Sequence, residues 1–335
     1  MAVGTVVAGL VNAAVVGRVG RRGTVTVGSV TVVVGVLLVT ATGALWGTLG
    51  GAFVAGAGGT LLVNVANSAL SERHQRASSA AITEANGLGA LVGALAPITV
   101  GVLVAIGAGW QPALLVVVVL LAALTLAMPA LPPPAAGAPA HGRSAALPRR
   151  YWWAWGVLVS LIAVEFSYSV WAPTLVAERT GASTGAATST LTVLILCLGV
   201  GRLLGARLAL RLRPGLLLMV AIAITLIGWA VLWSATALPL AVAGMAISGV
   251  GMAVQFPLGV ARALQAAGGQ TDVASGRIAM GAGLSIGLAP FVLGAVTDLV
   301  GVVAAFLLVP GLLALAVALL LGGLRSATRQ PASRG

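Results

Sequence analysis

Residues 16–23 read Val16-Gly17-Arg18-Val19-Gly20-Arg21-Arg22-Gly23, three arginines in a turn-sized stretch between two apolar runs, 1–17 and 23–42. Each run is about as long as a helix needs to be to cross ~30 Å of hydrocarbon. Outward from this stretch the alternation continues. Further apolar runs lie at 44–66, 79–106, 110–130, 151–176, 186–206, 214–234, 237–260, 277–298 and 301–323, eleven in all. Alternate connections collect the positive charge. Arg73 and Arg76, then Arg143, Arg149 and Arg150, then Arg202, Arg207, Arg211 and Arg213, then Arg262 and Arg277 fall on the side of the first loop. The tail residues Arg325, Arg329 and Arg334 join them, and only Arg179 falls opposite. Cations gather in cytoplasmic loops, so the pattern predicts an all-α, multi-pass protein of the inner cell membrane with a cytoplasmic C-terminus.

Composition excludes most other classes. Of 335 residues, 18 are cationic, all of them Arg, and six are acidic, for a net charge of +12. A charged fraction of 7% and a mean hydropathy of +1.11 do not describe a soluble domain, which averages about 25% charged. The positive charge is spread over many loops, which fits attraction to anionic lipid headgroups rather than nucleic acid. Cys197 is the only cysteine and sits within an apolar run, so no disulfide framework is expected. The first residues lack the basic region of a cleaved signal peptide. His74 and His141 lie in loops without metal-ligand spacing, and no Ser/His/Asp set, P-loop or dinucleotide-binding glycine cluster occurs. Neither a metal, a cofactor nor an enzyme activity is expected, and ATP-driven pumping has no motif to run on.

The chain repeats itself at an offset of 193 or 194 residues. Gly56-Ala57-Gly58-Gly59-Thr60-Leu61-Leu62-Val63-Asn64 aligns with Gly249-Val250-Gly251-Met252-Ala253-Val254-Gln255-Phe256-Pro257, and Arg18 aligns with Arg211. Gly89, Gly93, Pro97 and Gly101 align with Gly283, Gly287, Pro290 and Gly294. The expected organisation is a bundle over 1–130, a Pro/Ala-rich cytoplasmic linker over 131–150, a second bundle over 151–324 and a tail over 325–335. Two like-oriented halves joined by a cytoplasmic linker are parallel repeats about an axis along the membrane normal.

This arrangement resembles the major facilitator superfamily of secondary transporters over the whole chain. Family helices two and three are joined by a loop of the form Gly-x-x-x-Asp-Arg-x-Gly-Arg-Arg, and Arg18-Val19-Gly20-Arg21-Arg22 is similar to its second half. The acidic position here is Gly17 and the leading glycine is Ala13, so the gating contact of that acid has no counterpart at Gly17. Gly201-Arg202-Leu203-Leu204-Gly205, with Arg207, Arg211 and Arg213, is a looser copy. The resemblance implies family helices two to six in the first half and seven to twelve in the second, eleven spans with helix one missing. A start assigned too far downstream accounts for that; a true fragment is the alternative.

Ionisable side chains at membrane depth are costly and point to function. Glu165 lies in mid-span, in Val164-Glu165-Phe166-Ser167-Tyr168-Ser169-Val170-Trp171-Ala172-Pro173, and helical spacing is expected to put Glu165, Tyr168, Ser169 and Ala172 on one polar face. The span matches family helix seven and is similar to the fucose-permease-like branch. The resemblance implies a carboxylate that couples protons or binds substrate; the alternative is a structural carboxylate held by hydroxyls. Glu84 and Arg202 are expected at similar depth, and the resemblance, which makes their spans family helices five and eight, implies a gate pair; the alternative is that each snorkels to the interface alone. Arg18, Arg21 and Arg22 lie in the gating loop. Asn64, Asn67, Gln255 and Trp46 complete the cavity candidates, with interhelical bonding as the alternative for the amides. Gly89, Gly93, Pro97, Gly283, Gly287 and Pro290 are expected to serve helix packing and kinks. Asp272 and Asp298 read as solvated or capping residues, and Glu178 as the partner of Arg179. The expected partners are a small-molecule substrate, protons and the lipid bilayer, with the protein a monomer. A sugar or small polar solute and hydrophobic-compound efflux both remain open, as does a non-transporting remnant with an incomplete cavity.

Overall fold

The computed structural model describes residues 2–42, 44–127 and 146–328, and the described residues are helical with short connections. The helices are α1 (Ala2–Ala41), α2 (Leu45–His74), α3 (Ser78–Ala105), α4 (Gln111–Ala127), α5 (Arg149–Thr180) and α6 (Thr184–Arg211). They continue as α7 (Pro214–Trp233), α8 (Leu238–Met252), α9 (Gln255–Gln265), α10 (Thr271–Val300), α11 (Val302–Ala305) and α12 (Leu308–Thr328). Among the described residues, eight helical stretches are long and apolar enough to cross a membrane: Ala2–Ala41, Leu45–His74, Arg149–Thr180, Thr184–Arg211, Pro214–Trp233, Leu238–Gln265, Thr271–Val300 and Val302–Arg325. The protein is an all-α, multi-pass membrane protein. The linker and tail expectations at 131–145 and 329–335, with Arg143, His141, Arg329 and Arg334, lie outside the described residues.

The 40-residue α1 is two spans, as the sequence predicts. It breaks at Gly20 (φ 69°, ψ 174°), a conformation open to glycine and costly for a residue with a Cβ. The segment before Gly20 runs parallel to α2, with Thr5 bonded to Thr60 and Asn12 to Asn64, and Arg21 just past the break reaches Glu72. The segment after it runs antiparallel, with Gly28 against Gly58 and Gly35 against Gly51. The basic stretch is therefore the tip of a helical hairpin.

The residues group into two compact units. One comprises Met1–Gln75, Leu88–Ala146 and Gly268–Leu284; the other comprises Arg76–Gly87, Leu147–Ala267 and Ser285–Gly335. The sequence repeat reappears as one packing scheme inside each. In the first unit a Cβ on Gly58 would lie 2.6 Å from the Gly28 oxygen and 2.7 Å from the Val32 nitrogen, and one on Gly51 2.9 Å from the Val39 nitrogen. In the second unit the equivalents recur: Gly251 against Thr225 N (2.6 Å) and Ala221 O (2.9 Å), and Gly244 against Leu232 N (2.5 Å). Small residues let backbones touch where hydrocarbon solvent gives no hydrophobic drive for association. The second unit adds a buried core of Leu158, Leu161, Leu175, Leu218, Met245, Met252 and Phe306.

Among the described residues, Gly89 and Gly93 of the expected stripe on α3 are not packed in this way. A Cβ on Gly89 or Gly93 would meet nothing within 4 Å among the described residues, Gly287 is exposed, and the side chain of Pro97 lies outside the described set. Close packing is carried instead by the glycines above and by Gly283, which meets Ala2 O at 2.8 Å. A four-residue glycine spacing permits close approach, and the facing backbone decides whether it happens.

Candidate functional site

In the second unit the site begins with a proline. Pro257 in α9 has no N–H, so the carbonyl of Ala253, four residues earlier in the α8–α9 kink, has no intrahelical donor. Gly201 on α6 lies against this kink, where a Cβ would sit 2.6 Å from that of Ala253, and Gly205 lies against Val254 one turn on. The glycines bring the intervening Arg202 onto the open carbonyl, and its Nε donates to Ala253 O at 3.3 Å. On the other side of the guanidinium stands Glu165 of α5, with 3.7 Å between Nη2 and Oε1. The two side chains retain 13% and 22% exposure. Glu165 falls near the middle of α5, and Arg202 stands about 13 Å from the end of α6. The expected gate pair is thereby corrected: Arg202 faces Glu165, whereas Glu84 is exposed on α3 and forms no ion pair among the described residues. α6 runs on to Arg211, so Arg202 is deeper than the sequence suggests.

The polar face expected on α5 is split. Ser169 is exposed and donates to Glu165 O at 2.9 Å, while Tyr168 and Ala172 are fully buried. The Tyr168 hydroxyl accepts from Ser248 at 3.1 Å, and its ring meets Phe306 edge-on at 5.2 Å. Tyr168 is thus a core residue. Gln255 is buried and donates to Thr225 Oγ1 at 2.7 Å and Ala221 O at 3.3 Å, tying α9 to α7. Arg179, the cation that the sequence pattern sets apart from the rest, lies 5.3 Å from the ring of Trp233; among the described residues it forms no ion pair with its neighbour Glu178, because adjacent helical residues point apart.

The first unit holds a denser cluster. Arg21 is buried, and its Nη1 and Nη2 donate to the two oxygens of Glu72, each at 2.7 Å. Nη2 also reaches Asp272 at 3.2 and 3.3 Å and Thr271 Oγ1 at 3.4 Å. The Thr271 hydroxyl in turn donates to Glu72. Asn12 donates to Asp272 O (2.8 Å) and Ser275 Oγ (3.2 Å), and accepts from Asn64 (3.3 Å). Asn67 is buried beside them on α2, Arg18 and Arg22 are exposed at the hairpin tip, and Trp46 is 81% exposed at the start of α2. Pro290 offers its carbonyl to Trp171 Nε1 at 2.8 Å.

The Major Facilitator Superfamily profile matches residues 1–261. The chain belongs to this superfamily. Solved structures agree in fold. FucP in the outward conformation aligns at TM-score 0.80 with 17% identity over 96% of this chain and 86% of its own. The human organic anion transporter MFSD10 aligns at TM-score 0.75 with 17% identity, over 95% and 81% respectively. The proton:xylose symporter XylE aligns at 0.71 with 11% identity, over 96% and 83%. No curated protein matches the sequence.

Within the superfamily's loop motif, the position of the usual acid, Gly17, is exposed and a Cβ there would meet nothing within 4 Å. Asp272 and Glu72 supply acids to Arg21 instead. In the sequence Glu72 has no assigned role and Asp272 reads as a solvated or capping residue; Asp272 does stand in the first turn of α10, but its carboxylate faces Arg21. With six acids against 18 cations, each acid among basic loops was a signal worth pursuing.

Proposed function

We propose that this protein is a proton-coupled secondary transporter of a small solute, working by alternating access of the two repeat-related halves, 1–130 and 151–324, in the inner membrane with its C-terminus in the cytoplasm. The observation that carries the reading is the partly accessible Glu165–Arg202 pair held in the middle of apolar helices of a Major Facilitator Superfamily fold. A carboxylate at that depth that gains and loses a proton has a driving force to transmit, and Arg202 is the counter-charge that makes the ionised form tolerable. FucP is described as a fucose:proton symporter and XylE as a proton:xylose symporter, which supports proton coupling here. Arg21 with Glu72 and Asp272 is assigned the gate role, and Asn64 and Gln255 an interhelical one.

The test is reconstitution into liposomes with an imposed pH gradient. Glu165→Gln is expected to abolish gradient-driven accumulation while leaving solute exchange. Accumulation that survives with an unchanged pH profile would falsify the coupling role of Glu165.

A further inference from the structure

Arg202 carries five N–H donors in a planar fork. Only Nε is used, by Ala253 O; neither Nη donates a hydrogen bond among the described residues, and Glu165 at 3.7 Å is beyond hydrogen-bond reach. The guanidinium is therefore pinned along one edge and open along the other. Arg21 forms the contrast, since both of its Nη atoms are committed to carboxylates. Among the described residues of this unit, no other charge fills the opening. Around α5, helices α7, α8 and α11 carry no charged residue, and α6 contributes Arg207 and Arg211 only near its end. Arg262 of α9 turns to Gly215, Arg325 stands near the end of α12, Asp298 near the end of α10, and Glu84 of α3 is exposed. On α5 itself, Arg149, Arg150, Glu178 and Arg179 stand at the helix ends.

Charge balance then restricts what binds. With Glu165 ionised, the pair is neutral. With Glu165 protonated, a permanent cation remains at membrane depth, and an uncompensated charge there is strongly unfavourable. A neutral solute leaves that charge in place; one carboxylate or similar anionic group removes it and takes the open Nη donors in charge-assisted hydrogen bonds. Building on the transporter reading above, we propose that Arg202 binds an anionic group of the transported solute when Glu165 is protonated, so that a proton and a monoanion cross together without net charge. The proton enters from water on the open side and returns to water on the other, and the empty carrier resets as the neutral Glu165–Arg202 pair.

The binding test uses purified full-length protein carrying Glu165→Gln, which stands for the protonated form. The probes are acetate, lactate, gluconate and benzoate, each against its uncharged amide, read by shift in melting temperature. At least one carboxylate is expected to bind at least about tenfold tighter than its amide, with the preference retained in part on Arg202→Lys and lost on Arg202→Gln. No carboxylate preference in folded Glu165→Gln protein, or a preference that persists with Arg202→Gln, overturns the proposal.

The flux test uses wild-type proteoliposomes. Uptake of the best-binding carboxylate is expected to follow the pH gradient and to be unchanged when potassium and valinomycin set the potential to zero or inside-negative. Uptake of amides or sugars accelerated by an inside-negative potential overturns the anion proposal and leaves the transporter reading standing. Carboxylate binding without flux of any probe removes the transporter reading and leaves the Arg202 site.

Discussion

Arg21 and Arg202 both stand beside carboxylates inside the protein, yet their surroundings differ in kind. Arg21 is held by two acids and a threonine, with bidentate contacts of 2.7 Å to Glu72. Arg202 has one hydrogen bond to a carbonyl and one acid at 3.7 Å. The glycine scheme packing α1 on α2 recurs between α7 and α8 at the repeat offset, so the difference is not one of framework. It lies in the Nη groups, both directed at carboxylates on Arg21 and both open on Arg202 among the described residues. Committed Nη groups fix one arrangement and resist loss of any partner; open ones keep donors for something that comes and goes.

That contrast yields predictions of decreasing size. Arg21→Gln leaves Glu72 and Asp272 facing each other without a cation and is expected to cost about 3–5 kcal/mol of stability, read by thermal melting in detergent. Arg202→Gln should cost clearly less while abolishing coupled uptake; equal destabilisation by the two would erase the distinction between lock and open site.

Gly58→Val and Gly251→Val insert a branched side chain where backbones meet, at about 1–3 kcal/mol each. Similar losses at the two positions support one shared framework, and a cost at only one would show that the halves pack differently.

Pro257→Ala restores an intrahelical donor to Ala253 O and releases Arg202 Nε. Stability is expected to move by less than about 1 kcal/mol, with uptake falling severalfold. Unchanged uptake would mean that the kink does not position Arg202. Trp46→Ala, exposed and without a hydrogen bond among the described residues, should stay within about 0.5 kcal/mol and leave uptake intact. A large loss of uptake would return Trp46 to the substrate path.

Much of the fold was legible because membrane insertion writes long-range information into local sequence. Apolar runs of about 20 residues give spans, and the arginine bias separates their connections. The basic stretch at 18–22 was correctly a turn, since Gly20 is the residue that takes its backbone. The site was only half legible. Glu165 stood out as an acid in mid-span, but its partner Arg202 was assigned to Glu84. Gly87 of α3 does lie against Arg202 and Leu203, yet Glu84 one turn earlier is exposed. The guanidinium turns to α5, a side-chain direction that depth along a span does not give. Tyr168 and Ser169 were taken as one face, and the packing of Phe306 and Ser248 against Tyr168 separated them.

By itself the sequence determined an all-α membrane protein, its repeat, the superfamily and the carboxylate most in need of explanation. The membrane class and the carboxylate follow from the free energy of placing each residue type in hydrocarbon or water, which is a property of the chain alone; the superfamily follows from the resemblance of the loop at 18–22 and of the repeat. Only the tertiary structure decided that Pro257 opens a carbonyl, that Gly201 and Gly205 bring Arg202 to it, and that Arg21 is closed by Glu72 and Asp272. Hydrogen-bond saturation depends on which groups from distant segments come within about 3 Å of one another, and sequence spacing does not encode that distance.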